Sequence, residues 1–482
     1  MIRPMLLVTT LALSLVGLSG CATPNLLSEK PSTTKTISNE SINVYTFPND
    51  PTFWQSNNPT MIWHRLQQIP QHQLQSGLNQ TSTPAIAAWI KLALINKQSG
   101  NNTSQLVTEL IQWRAENTSH PANSLFPDDS TLTSLQTIKS PHHLAVLLPL
   151  EGTLSASGQA VRDGFLSAYY QSAASTHAEQ TLSFYDTHSN SSIPSLYQQA
   201  LAEGADTVIG PLTKENVKSL LNQGSFSIPT LALNYTDLWF GSLPANFYEY
   251  GLSPDDEAQQ VANKAAFAGL KKAIIIAPQN TWGQRVSNQL ISRWKSSGGT
   301  VSDIYYFNSK NNLTAEIASL LHVNPNQTRS NRSVDNTQSS LEQQRRQDFD
   351  VIFLLAEPDK AREIVPLLKY YYADNVPIYA TSTVYSGAPT PQKDSDLNGV
   401  IFCDIPWVLE MAGHHNNHTL KEGSYNRLFA VGHDAYLLSN QFARLEKLPL
   451  FPIQGATGAL TLTQQQKIYR YLSWTTIHNG RP

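Results

Sequence analysis

From His142 to the C-terminus, short apolar runs alternate with amphipathic segments, and the alternation runs through twice. The first series begins with "LAVLLPL" (144–150), which reads as a buried strand. A loop with Gly152 and Gly158 follows, then a helix gathering Val161, Phe165, Ala168 and Tyr169 on one face. Strands at "LSFYDT" (182–187), "DTVIGPL" (206–212) and "IPTLALN" (228–234) complete it, with helices over 195–202 and 214–221. In the second series Ser253-Pro254-Asp255-Asp256 starts a helix. Serine caps free amides, proline suits the first turn, and acids face the positive end of the helix dipole. The strands "AIIIAP" (273–278), "VSDIYYF" (301–307), "DVIFLLA" (350–356) and "VPIYAT" (376–381) follow, with helices between, one carrying Val286, Leu290, Ile291 and Trp294. Near-continuous apolar strands joined by helices require parallel sheets covered on both faces. Two such halves in series predict an α/β, bilobed protein with a cleft. Residues 322–347, rich in Asn, Ser, Gln and Arg, read as a mobile surface insertion in the second half.

Ahead of the lobes, residues 51–141 follow a helical period. Ile86, Trp89, Ile90, Leu92 and Ala93 recur at three- and four-residue steps, as do Leu106, Leu110 and Trp113. Gly100-Asn101-Asn102 breaks these into two antiparallel helices, and "MIWHRLQQI" supplies another, ending near Pro70. This predicts a small all-α domain of tetratricopeptide-like helix pairs. Residues 21–50, rich in Ser, Thr, Asn and Pro, read as a tether.

Residues 1–20 read as an address. Arg3 is the only charge before Glu29, and Leu6 to Leu18 is a mostly apolar run of signal-peptide length. It ends in Leu18-Ser19-Gly20-Cys21, which resembles the bacterial lipobox, where the cysteine is lipidated and becomes the first residue. Ala22, in place of the aspartate that retains lipoproteins in the inner membrane, favours the outer membrane, facing the periplasm. Several acyl chains anchor firmly where one is marginal. Cys403 is then the one remaining cysteine, so no intramolecular disulfide forms. Its place in "VIFCDIPW" predicts a buried, inert thiol.

Net charge is −3 with 14% charged residues, which argues against a nucleic-acid-binding face. No G-x-G-x-x-G follows a strand and no Gly-Lys dipeptide exists, so the phosphate loops are missing. Ser292 and Lys295 have S-x-x-K spacing, and Ser424-Tyr425-Asn426 fits S-x-N, but no K-T-G or K-S-G completes the penicillin-recognising set. Ser292 and Lys295 read instead as a solvated helix face beside Trp294. His414, His415 and His418 read as a solvated loop between Gly413 and Gly423, with no metal expected. No catalytic constellation or cofactor site emerges.

Ligands of open α/β sheets sit beyond the carboxyl ends of the strands. There the sequence offers Glu151, Ser155, Ser157, Thr213, Asn234, Tyr235, Gln279, Thr281, Trp282, Glu357, Thr381 and Ser382. Such a set suits a small polar ligand, an amino acid or wall fragment. The competing use of the same residues is to cap helices and hold the lobes together.

Two lobes of this kind resemble the type I periplasmic binding-protein fold. More closely, 142–482 resembles the LppC/LpoA family of outer-membrane lipoproteins. The resemblance rests on "GLSPDDEA" (251–258), "TWGQRV" (281–286), "PIYATSTVYSG" (377–387), "LNGVIFCDIPW" (397–407) and "IQGATGALTL" (453–462). It implies an activator of a bifunctional class A penicillin-binding protein, without enzymatic activity. The N-terminal part matches through "AAWIKLAL" and "HPANSLFP" and is shorter than the family's helical domain. The alternative is a solute-binding lipoprotein that uses its interlobe cleft.

Overall fold

The structure, a computed structural model, describes residues 51–54, 58–176, 180–189, 191–236, 243–308, 312–324, 345–413, 421 and 423–482. The signal peptide, Cys21, the tether, most of the 322–347 insertion and the His414, His415 and His418 loop lie outside these residues. No described helix is long and apolar enough to cross a membrane.

The first lobe is a five-stranded parallel sheet. Its elements in order are β1 (His143–Leu148), α7 (Ser155–Thr176), β2 (Thr181–Asp186), α8 (Ile193–Ala202), β3 (Thr207–Ile209), α9 (Lys214–Leu221), β4 (Thr230–Ala232) and β5 (Phe247–Glu249). The helix numbers follow six helices in the preceding region. Strand order is β2-β1-β3-β4-β5, with Val146 paired to Phe184 on one side and Ile209 on the other. Leu144 to Leu148 are buried on both faces, which is why that run shows no polar alternation. The half closes on β5, not on the 228–234 run, because Phe247, Tyr248 and Glu249 pair with β4 and are buried.

The second lobe contains α10 (Pro254–Phe267), β6 (Lys272–Pro278), α11 (Thr281–Ser296), β7 (Thr300–Phe307), α12 (Leu313–Leu320), β8 (Val351–Leu354), α13 (Pro358–Tyr370), β9 (Ile378–Ala380), α14 (Pro391–Asp394) and β10 (Val400–Asp404). Its sheet order is β14-β10-β9-β8-β6-β7. The outermost strand, β14 (Ser473–Thr476), is antiparallel to β10, a departure from the all-parallel expectation. It belongs to the chain's final return, so it is free of the crossover that forces parallel pairing. Ser253 caps α10 as expected, accepting from the Asp256 amide at 3.1 Å. Cys403 is fully buried, as its apolar run predicts, and burial pushes its thiol pKa up.

Between β10 and β14 the chain forms α15 (Pro406–Gly413), α16 (Tyr425–Ser439), α17 (Phe442–Lys447) and a small sheet, β11 (Ile453–Gly455), β12 (Gly458–Leu462) and β13 (Ile468–Tyr471). Here the chain returns to the first lobe: Val431, Ala435, Leu438 and Leu460 share a core with Val146, Val161 and Phe165. The α7–α16 crossing depends on two glycines. A Cβ at Gly164 would stand 1.8 Å from Phe429 O, and one at Gly432 would stand 1.8 Å from Val161 O.

The described part of the N-terminal region is helical: α1 (Pro51–Trp54), α2 (Pro59–Gln68), α3 (Gln71–Gln80), α4 (Pro84–Ser99), α5 (Thr103–Glu116) and α6 (Asp129–Leu135). Asn102 caps α5 through the Gln105 amide (3.1 Å), which explains the break after Ser99. Trp113 Nε1 reaches Ala88 O at 3.0 Å, bringing the end of α5 to the start of α4. Leu448 and Phe451, from beyond α17, belong to the same core as Trp63, Trp89, Leu110 and Trp113. Trp63 Nε1 also donates to Leu450 O at 2.6 Å. At the border of the insertion, Arg345 is buried and Arg346 pairs with Asp303 and Asp348, both at 2.7 Å.

Candidate functional site

At the carboxyl ends of the strands, most of the polar side chains are engaged in holding the backbone. Thr213 caps α9 through the Asn216 amide at 3.3 Å. Asn234 donates to Leu212 O (3.0 Å) and accepts from the Tyr235 amide (3.0 Å). The Tyr235 hydroxyl donates to Ile468 O at 2.7 Å, tying the first lobe to β13, and burial raises its pKa. Gln279 accepts from Asn308 Nδ2 at 2.6 Å. Trp282 packs against the second lobe's core. Glu151, Thr281 and Glu357 are exposed, and Ser155 and Ser157 are half-buried at the start of α7. The cap of α11 is Asn280, which is not among the strand-end residues named from the sequence; its Oδ1 accepts from the Gly283 amide at 2.7 Å.

Thr381 and Ser382 require a correction, because both are buried instead of lining an open cleft. Thr381 Oγ1 bonds Thr383 Oγ1 at 2.7 Å. Ser382 donates to Glu257 Oε2 from its hydroxyl (2.7 Å) and its amide (3.2 Å). A buried carboxylate needs such donors, so Ser382 is committed to it.

Glu257 opens onto a chain of buried charges at the junction of the lobes. Although it stands in the acidic first turn of α10, it points inward, and burial raises its pKa. Arg470 of β13 lies 3.9 Å away and donates to Thr457 O at 3.3 Å. Gln260 clasps the same strand, donating to Arg470 O (2.9 Å) and accepting from the Leu472 amide (3.0 Å). Asp404, with no exposed surface, receives Arg427 Nη2 at 2.5 Å and Nε at 3.0 Å. Arg427 also donates to Ser382 O and Tyr385 O, each at 3.1 Å. Asp434 of α16 accepts from the Ala456 and Thr457 amides (2.6 and 2.7 Å) and the Thr457 hydroxyl (2.6 Å). Glu249 of β5 accepts from the Thr236 amide at 2.9 Å and faces Lys467 at 3.4 Å. Residues from β5, α10, β10, α16 and β13 thus form one polar seam joining first lobe, second lobe and small sheet. Charge-assisted bonds between these groups join the three parts to one another.

Ser292 and Lys295 stand on the exposed face of α11, with Trp294 buried between them, as expected of a solvated face. Asn426, the other short-motif residue, is buried and holds Gly387 O (3.0 Å) and Lys421 O (2.5 Å). Among the described residues no group of three or more His, Cys, Asp or Glu is placed to hold a metal ion.

The profile of the family described as "LppC putative lipoprotein" matches residues 37–480, nearly the whole chain and both lobes. The chain belongs to the LppC family. A curated relative, "Penicillin-binding protein activator LpoA" of Photobacterium profundum, is 28% identical over 427 residues, covering 86% of this chain and 69% of that protein. The full-length LpoA structure from Haemophilus influenzae superposes with a TM-score of 0.56 at 27% identity, covering 89% of this chain and 74% of that one. The C-domain of the same organism's LpoA, described as a regulator of PBP1A, superposes with a TM-score of 0.54 at 28% identity. It covers 70% of this chain and 98% of that domain. This LppC chain therefore holds essentially the whole C-domain, and its shortfall against the longer relative lies outside that domain.

Proposed function

We propose that this LppC chain is a lipoprotein anchored in the outer membrane through Cys21, whose lobes bind and activate a bifunctional class A penicillin-binding protein. The observation that carries the proposal is the 98% coverage of a C-domain described as a regulator of PBP1A. The polar seam supports it. Its charges pair within the chain, and Ser382 serves Glu257, so these groups are spent on the lobe junction and not offered to a solute. A fixed surface suits recognition of a protein partner, since preorganised faces lose little freedom on binding. The chain acts on the synthase through contacts that favour the synthase's active state, a coupling free energy that needs no catalytic group of its own. The partner is captured by the immobilised full chain from detergent-solubilised inner membranes, and penicillin labelling identifies the retained band. Ser292→Ala and Lys295→Ala leave capture unchanged. Absence of any penicillin-labelled protein in the captured fraction counts against the proposal. The solute-binding alternative predicts instead a thermal shift with free amino acids or wall fragments, lost on changing Glu151, Thr281 or Glu357.

A further inference from the structure

Acidic side chains are unevenly spread along this chain. Residues 51–108 contain no Asp or Glu, and neither do residues 258–302, although the whole chain carries 36 acids against 33 Lys and Arg. The first stretch holds three Lys and Arg, the second six. The two acid-free stretches meet in the fold, where the Arg65 guanidinium of α2 lies over the Phe267 ring of α10, 5.4 Å from its centroid. Cations near helix C-termini oppose the helix dipole, which explains where Arg65, Lys264 and Arg293 stand on their helices but not why both stretches lack acids.

The meeting point is held beneath and open above. His64, next to Arg65, shares a hydrogen bond with the Tyr471 hydroxyl of β13 at 3.3 Å. Lys264, one turn before Phe267, is buried with its ammonium 5.1 Å from the centroid of the Trp474 ring. Burial and the nearby Arg65 lower the Lys264 pKa to about 6, so at neutral pH the charge of this face rests on arginine. Asn263, one turn before Phe267 on the same side of α10, accepts from Nε of the exposed Arg293 of α11 at 2.5 Å. Phe267 is 64% exposed, and Met61, one turn before Arg65 on α2, is 46% exposed. A lone exposed apolar side chain is ordinary. Here two of them accompany two guanidiniums, and arginine, methionine and aromatic rings are the side chains enriched where proteins meet one another.

We propose that Met61, Arg65, Phe267 and Arg293 form a docking face for an acidic protein surface, with Phe267 as the apolar anchor and the two guanidiniums on carboxylates beside it. The inference rests on the activator reading and adds to it, since the occupant is the synthase and the face says which side of the chain meets it. Charge complementarity selects the partner: an acid-free face repels other basic surfaces and pairs with carboxylates through charge-assisted hydrogen bonds. The face draws on α2 of the helical region and on α10 and α11 of the second lobe, so a partner seated there touches both.

The test is the affinity of the purified cognate class A penicillin-binding protein for the full-length chain in detergent, measured by biolayer interferometry. Phe267→Asp changes an exposed position, so its melting temperature matches the parent's while the affinity falls about tenfold. Arg65→Gln combined with Arg293→Gln weakens binding and flattens its dependence on salt. Tyr170→Asp, on α7 and 65% exposed, leaves the affinity unchanged. Hydrogen exchange over residues 261–272 slows when the synthase is added. Parent affinity in Phe267→Asp overturns this inference and leaves the activator proposal standing, whereas no binding by the parent chain removes both. Two other occupants would also overturn it. A second copy is shown by a dimer in sedimentation that Phe267→Asp dissociates. An anionic membrane is shown by exchange that slows on phosphatidylglycerol vesicles and not with the synthase.

Discussion

Asp404 and Arg427 carry much of the energetic weight at the lobe junction, because neither meets enough water to be satisfied alone. Removing the cation strands a carboxylate that has no exposed surface. Arg427→Met should therefore cost about 3–5 kcal/mol, read as a lower urea midpoint, while Lys295→Ala on the exposed face of α11 leaves the midpoint within error. Lys97 gives a pH-dependent test. Its half-buried side chain donates to Gln67 O at 2.8 Å, and desolvation lowers its pKa from 10.5 to about 8. Below pH 8 both folded and unfolded chains carry the proton and the burial cost is fully present. Between there and the unfolded value the unfolded chain binds more protons, so stability rises with pH, and above it the cost is gone. Chemical denaturation from pH 7 to 10.5 should show this rise in the parent and a smaller one in Lys97→Met. These residues are hard to find in a sequence. Arg470 and Asp404 sit in short runs that read simply as strands, and only the low charged fraction, 14%, marks a charge inside them as unusual. Ser253 was legible because its cap is local, whereas the partners of Ser382 and Tyr235 lie 125 and 233 residues away.

The elements divide along the same line between local and distant causes. Strands β1, β6 and β8 were legible because parallel strands buried on both faces leave unbroken apolar runs. The helix break at 100–102 was legible because glycine and asparagine carry their own reason. Strand β14, the small sheet and α16 were not, since their pairing is set by the return of the chain across both lobes. The segment after α17 shows how far that return reaches. Leu448 and Phe451 are 1% exposed because the helical region covers them, so the boundary near 141 separates two patterns but not two independent cores. Phe451 stacks edge-on against Phe126 and lies against Trp63. Phe451→Ala should cost about 3–5 kcal/mol. It should also make helices α2 to α5 the first part of the molecule to be cut by protease, a pattern readable by mass spectrometry of the early fragments. Unchanged protease resistance there would show that the helical region holds without this contact.

At the scale of the whole molecule, a helical region precedes two lobes joined by a polar seam, and the proposed lipid anchor lies ahead of both. The register of the apolar run, small residues and Cys21 points to lipidation at that cysteine, so Cys21→Ala should leave the protein uncleaved or soluble. Fractionation on a density gradient tests this, and an outer-membrane position for the mutant would contradict it. The bilobed architecture was legible because the alternation repeats. The cleft was not, because a sequence shows which polar residues lie at strand ends but not which of them are already bonded. The proposed function is an action of the lobes on a synthase. The measurement that bears on it most directly is the rate of glycan polymerisation and cross-linking by the cognate class A penicillin-binding protein on lipid-linked precursor, with and without the full-length chain. A severalfold higher rate is expected at saturating chain, with no product from the chain alone and the same increase with Ser292→Ala and Lys295→Ala. A rate unchanged by the chain at any concentration would contradict it.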